Sequence, residues 1–269
     1  MPTVQRKRHF LHYETMGDPK NPPLLLVMGL ALSSRGWDRL PELMARNFHV
    51  LVFDNRGTGK SSRRGVAYRM RDLAGDAAAV IEAAGFSSAH VFGISMGGMI
   101  AQELALRHPE RVRSLALGCT FASWRKSAAP AMGAKLDLLK LNLGRVTPQI
   151  VGRLLVSPQW HEQNPRAALE WLQRAEHTSL RFALAQILAV ARHHALPRLS
   201  QIRAPTLVIT GSGDRLIPPR NSEVLAQAIP GARLLVLPGA GHCFPLEREE
   251  ETVRALCDHF LGFELRAAG

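Results

Sequence analysis

Cysteine is scarce in this 269-residue chain: Cys119, Cys243 and Cys257 are the only three, an odd number with no metal-ligand spacing between any two. That excludes a disulfide-built scaffold, and the three read as unpaired thiols of a reducing compartment. Long apolar runs are absent too. The longest, Leu24 to Leu32, is broken by Gly29 and falls well short of the ~18 residues of a membrane span. Residues 1–13 are basic without the apolar stretch of a secretory signal, so a cytoplasmic location is expected. No cluster of His, Cys, Asp or Glu has the spacing of a metal site, and no metal or other cofactor is expected.

Acidic residues are in the minority, 22 against 34 Lys and Arg, for a formal charge of +12. The excess is uneven, with eleven basic and four acidic residues between 120 and 200. A basic chain can bind nucleic acid or an anionic membrane. Here no basic run exceeds three residues and none is interleaved with aromatics. The excess therefore reads as a solvated arginine-rich surface, with neither nucleic acid nor membrane as a partner.

What is present is a rhythm. Short continuous apolar runs, Leu24–Met28, Val50–Phe53, His90–Ile94, Ser114–Leu117, Thr206–Ile209 and Leu234–Leu237, predict strands covered on both faces. Helical patterns separate them at about Arg69–Ala84, Met96–Arg107, Ser222–Ile229 and Arg248–Phe260. This alternation predicts an α/β fold, a mostly parallel central sheet flanked by helices. The rhythm breaks between about 120 and 200, where only helices are legible. Thr147-Pro148 and Asn164-Pro165 read as N-caps followed by proline, and Pro197 as the stop of a helix carrying Leu180, Leu184 and Ile187. Residues 121–199 are thus expected to be a helical cap inserted into a core of 1–120 and 200–269.

Gly93-Ile94-Ser95-Met96-Gly97 fits the G-x-S-x-G pattern and stands between a predicted strand and a predicted helix, the context the motif requires. A serine on so sharp a turn is strained, and side chains two residues before and after would collide, so glycine is needed at both places. Serine needs an adjacent base. His242, in the loop after the last predicted strand, and Asp214, in the loop after the strand before it, both belong at the carboxyl edge of a parallel sheet, where ligands bind. The order Ser95, Asp214, His242 is that of the triad in such folds. An Asx turn is the plainer reading of Asp214 alone, and a surface position that of His242 alone.

On these segments, with Met28-Gly29-Leu30 and Phe53 to Ser61, the chain resembles the α/β-hydrolase fold enzymes with a helical cap, in particular the esterase, enol-lactonase and methylesterase branch. The resemblance implies an oxyanion hole from the backbone N–H groups of Leu30 and Met96. It departs at Met28-Gly29, where many such enzymes carry His-Gly. It implies a serine hydrolase acting on a small ester or lactone. Cleavage of a C–C bond beside a ketone, cofactor-free perhydrolysis and a non-catalytic ligand receptor are the alternatives. Phe121 and Trp124 are the first choices for the substrate pocket. Gly57-Thr58-Gly59-Lys60-Ser61 invites a phosphate loop, but Asp54 stands where its first glycine would be. His193-His194 reads as a charged helix end, and Cys243 as a packed neighbour of His242.

Overall fold

The computed structural model describes residues 2–6, 9–63, 65, 67–130, 132–134, 136–137, 146–175 and 178–268. Part of the segment expected to form the cap, including 131, 135, 138–145, 176 and 177, therefore lies outside the described residues.

Among the described residues eight strands form one sheet: β1 (Thr3–Arg6), β2 (His9–Met16), β3 (Pro23–Val27), β4 (His49–Phe53), β5 (Ala89–Ile94), β6 (Val112–Gly118), β7 (Thr206–Gly211) and β8 (Arg233–Leu237). Their spatial order is β1-β2-β4-β3-β5-β6-β7-β8. The first two pair antiparallel and β2 runs antiparallel to β4, while β4 through β8 are parallel. The helices are α1 (Leu40–Met44), α2 (Met70–Ala83), α3 (Met96–Arg107), α4 (Pro148–Leu155), α5 (Pro158–Gln163), α6 (Ala167–Arg174), α7 (Leu180–Ala191), α8 (Arg220–Ala228), α9 (Phe244–Glu247) and α10 (Glu249–Ala268).

The continuous apolar strands behave as their composition demands. Successive side chains of a strand point to opposite faces. Leu25, Val27, Leu51 and Phe53 accordingly enter one core with Leu73, Ile81, Ile100 and Leu104 of α2 and α3. Leu24, Leu26, Val50 and Val52 enter another, with Met44 of α1 and Leu256 and Phe260 of α10. Strand β8 departs from the expectation. Its residues are mostly exposed because it closes the sheet at an edge with one neighbour only.

Two helix-end expectations are corrected. Thr147 does cap α4, accepting from the Ile150 N–H. Asn164 instead ends α5, and α6 starts at Ala167 after Arg166. The capping serine–proline pair is Ser157-Pro158, where Ser157 Oγ accepts from the Trp160 N–H. Helix α7 stops at Ala191, before Pro197, which sits in a 3-10 turn over Leu196–Gln201.

The chain adds β4 on one side of β3 and then crosses to add β5 on the other. Such a reversal leaves a crevice between the carboxyl ends of β3 and β5, the place where open parallel sheets take ligands. Helices α4 to α7 come from the connection between β6 and β7, which leave the sheet on the β5 side of that crevice.

Candidate active site

Strand β5 runs directly into Ser95, whose backbone sits at φ 54° and ψ −122°. A non-glycine residue held there stores about 1–3 kcal/mol of strain. The end of β6 holds the turn in place: the Ser95 N–H donates to Gly118 O at 2.9 Å, and Thr120 Oγ1 donates to Ser95 O at 2.7 Å. The glycines are demanded by contact. A Cβ on Gly93 would lie 2.3 Å from Gly97 O, and one on Gly97 would lie 1.9 Å from Val27 O. A Cβ on Gly98 would strike Thr120, so this glycine brings α3 against β6. Gly29, in the loop after β3, faces the Ser95 turn, since a Cβ there would sit 3.8 Å from Ser95 Oγ.

Asp214 and His242 meet at the ends of β7 and β8. Nδ1 of His242 lies 2.8 Å from Asp214 Oδ2. The other carboxylate oxygen, Oδ1, accepts from the N–H groups of Leu216 and Ile217 at 2.9 and 2.8 Å. Asp214 thus makes an Asx turn with one oxygen and holds the imidazole with the other. The two loops interlock: the Gly213 N–H donates to Ala240 O, and the Gly239 N–H to Ser212 Oγ. Glu247 of α9 adds a clamp that the sequence did not announce. Its carboxylate accepts from the Gly241 N–H at 2.7 Å and from the Ser157 N–H at 2.9 Å, tying the histidine loop to the start of α5.

Both side chains of this pair are buried. Burial works against a charged imidazole, but the adjoining Asp214 carboxylate and the Cys119 sulfur together outweigh it and hold His242 well above the ordinary histidine range. Nε2 of His242 lies 4.0 Å from Cys119 Sγ. Among the described residues no hydrogen bond joins Nε2 to Ser95 Oγ. The two sides are nevertheless adjacent, because Ser95 is bonded to Gly118 and Thr120, the chain neighbours of Cys119. Cys119 itself, at φ 40° and fully buried, was missed in the sequence. Its one signal is its position just past a parallel strand.

Leu30 and Met96 flank the elbow, and among the described residues neither N–H is engaged by another group of the chain. Met96 opens α3, where a helix leaves its first N–H groups free. The loop carrying Leu30 is pinned from the segment between β6 and β7. The Ala31 N–H donates to Gln186 Oε1 of α7 at 2.7 Å, and Ala31 O accepts from the Thr178 N–H at 3.1 Å. Gln186 is fully buried and was not singled out in the sequence.

Phe121 is buried in the core, with its ring 6.0 Å from that of Trp124 and 6.4 Å from His193. Trp124 is 54% exposed. Trp171 packs with Val151, Val156 and Cys243, its Nε1–H donating to Gly36 O. The expectation of a charged helix end at His193 is corrected: burial pushes its pKa down to about 4, so it is neutral, and its Nε2 faces Gln102 Oε1. In the Gly57–Ser61 turn the chain's own carboxylate takes the place of a phosphate. Asp54 Oδ2 accepts from the Lys60 N–H at 2.8 Å and would lie 2.2 Å from a Cβ on Gly59. Burial also pushes the Cys243 thiol well up, which keeps it protonated and inert.

A strained serine between strand and helix and a carboxylate-held histidine thus stand at the carboxyl ends of neighbouring parallel strands. The chain belongs to the alpha/beta hydrolase fold family, whose model matches residues 22–249. It is similar to the rhodomycin D methylesterase DauP of Streptomyces sp. (strain C5), 31% identical over 96% of this chain and 98% of that one. It is 32% identical to the putative carbamate hydrolase RutD of Azorhizobium caulinodans, over 87% of this chain and 88% of that one. Among solved structures it resembles the enol-lactonase of Burkholderia xenovorans LB400, at TM-score 0.84 and 25% identity, with 97% of this chain and 100% of that one covered. The protein is a hydrolase, and no described helix is long and apolar enough to cross a membrane.

Proposed function

We propose that the protein hydrolyses a carboxylic ester or lactone through an acyl-enzyme on Ser95. The Nδ1–Oδ2 contact of 2.8 Å between His242 and Asp214, beside the strained serine, carries this reading. His242 Nε2 takes the Ser95 proton as Oγ attacks the carbonyl carbon. Their hydrogen bond forms as substrate seats, since such bonds are often long in the empty site. Asp214 keeps the proton on Nδ1 and stabilises the imidazolium. The N–H groups of Leu30 and Met96 receive the oxyanion, each worth about 3–4 kcal/mol. His242 then protonates the leaving oxygen, and a water repeats the sequence on the acyl-enzyme. The similarity to a methylesterase and an enol-lactonase supports oxygen esters over C–C bonds.

A panel of short-chain aryl esters, methyl esters and lactones is the direct test, with a fluorophosphonate probe and peptide mapping of the adduct. Multiple turnover and labelling at Ser95 are expected. Labelling at Cys243, or no turnover of any oxygen ester, would discard the reading.

The cap has a positioning role through Gln186. Gln186→Leu leaves the Ala31 N–H without its acceptor, a loss of about 1–3 kcal/mol for a buried group. The loop presenting Leu30 then loosens, and kcat is expected to fall about tenfold or more, with KM changing less. Gln186→Glu, which keeps an acceptor oxygen, is expected to restore most of kcat. Equal losses in both variants would assign Gln186 to packing alone.

A further inference from the structure

We propose that Cys119 Sγ and His242 Nε2 form an inhibitory site for a thiophilic divalent cation, zinc above all. One ligand atom from each of Cys119, Asp214 and His242 lies within 4.8 Å of the others, and all three residues are buried. The inference rests on the reading of His242 as the base only for its inhibitory consequence. The metal site itself stands on geometry.

In a tetrahedral zinc site with Zn–S near 2.3 Å and Zn–N near 2.0–2.1 Å, sulfur and nitrogen are about 3.5 Å apart. Cys119 Sγ and His242 Nε2 are 4.0 Å apart, so a shift of about half an ångström completes the pair. The far side of the imidazole is already arranged for a metal. Zinc-bound histidines commonly donate their other ring N–H to a carboxylate, which fixes the tautomer and raises ligand basicity. Asp214 Oδ2 holds Nδ1 in that way at 2.8 Å, while its Oδ1 is fixed by Leu216 and Ile217. The relay that prepares Nε2 to accept a proton therefore also prepares it to hold a cation.

Charge favours the ion as well. The Cys119 thiol, and His242 Nε2 where the ring is protonated, release their protons to solvent as the S–Zn and N–Zn bonds form, and no electron is transferred. Thiolate and Asp214 together then balance the two positive charges of zinc. A thiolate–imidazole pair selects soft or borderline ions over magnesium or calcium. Solvent completes the coordination sphere from the side of Ser95, which is partly exposed. With its lone pair on zinc, His242 can no longer take the serine proton.

Zinc titration of the metal-free enzyme, with ester turnover and calorimetry read in parallel, tests this. One zinc per chain, inhibition in the micromolar range, recovery on adding EDTA and no effect of magnesium are expected. Cys119→Ser and Cys119→Ala are expected to weaken zinc inhibition at least tenfold, each measured against its own metal-free turnover. Cys243→Ala is expected to remain fully sensitive. Cobalt(II) supplies a readout independent of catalysis: a thiolate-to-cobalt charge-transfer band in the wild type, absent in Cys119→Ser. If that band appears while no ester is turned over, the metal site holds and the base assignment falls. Equal zinc sensitivity in wild type and both Cys119 variants, or no saturable binding, would overturn the proposal.

Discussion

Ser95→Ala is expected to lower ester turnover by about 10⁴- to 10⁶-fold, the scale on which removing a nucleophile acts when the triad works as a unit. The variant keeps the Cβ, so the backbone at φ 54° is as strained as before and the melting temperature should scarcely move. Ser95→Gly is the informative partner. Glycine occupies that region of backbone space without penalty, which recovers part of the ~1–3 kcal/mol stored at the elbow. Against this stands about 0.5–1 kcal/mol for the greater freedom of glycine in the unfolded chain. Ser95→Gly is therefore expected to be as inactive as Ser95→Ala and to melt at a higher temperature. The pair separates chemistry from strain: both variants lose the hydroxyl, and only one relieves the turn. Thermal melts and initial rates with an aryl ester check both halves. Retained turnover in Ser95→Ala would remove the nucleophile from the proposed function, and a lower melting point for Ser95→Gly would show that the turn stores little.

The parallel core was legible in the sequence for a physical reason. Strands covered on both faces need apolar side chains at every position, and β3 and β4 are buried throughout. The same reasoning could not find β1 and β2. They run antiparallel at the margin of the sheet, with polar residues such as Gln5, His9 and Glu14 on partly exposed faces, so no apolar run marks them. Likewise α10 continues to Ala268, beyond the predicted end near Phe260, with Phe263 against the His90 ring and Glu264 paired with Arg113, contacts made across the chain.

At the site, what could be read was local. Gly93, Gly97 and Ser95 fall within five residues, and their collisions are short-range. Asp214 and His242 were reachable because strand ends predict the same sheet edge. Cys119, Gln186 and Glu247 were not, since their importance comes from contacts across 123, 155 and 90 residues of chain. Two of those contacts join the segment between β6 and β7 to the rest of the chain, and no spacing rule encodes them. Phe121 and Trp124 are legible only as aromatic residues of the 121–199 segment; the fold buries Phe121 and leaves Trp124 54% exposed, contrasts that no local pattern encodes.

The largest effect away from the nucleophile is expected at Asp214→Asn. The Asp214 surroundings decide how the new amide sits. The N–H groups of Leu216 and Ile217 both point at Oδ1 and require an acceptor there. An asparagine must then keep its oxygen on that side and turn its NH₂ towards His242 Nδ1. Nδ1 becomes an acceptor, the imidazole proton moves to Nε2, and the ring faces Ser95 with a donor where it needs a lone pair. Turnover should drop on the order of 10⁴-fold with the fold intact. The charge change has its own signature. In the wild type the Asp214 carboxylate, with the Cys119 sulfur, holds His242 well above its ordinary pKa against the effect of burial. Only the neutral imidazole accepts the serine proton, so wild-type kcat/KM should rise with pH through an inflection above about 6.5, the value of a free histidine. Without the carboxylate its raising effect on His242 is lost while burial still opposes the charge, so the His242 pKa should fall, which NMR titration of the ring protons would follow. The sign for stability is the reverse of that for activity. A folded-state pKa raised above the unfolded one stabilises the protein fully below the unfolded value, and the gain is lost as pH rises through the folded one. The melting-temperature gap between wild type and Asp214→Asn should therefore be wider at acidic than at alkaline pH. A His242 pKa unchanged by the substitution would mean that Asp214 does not govern the imidazole.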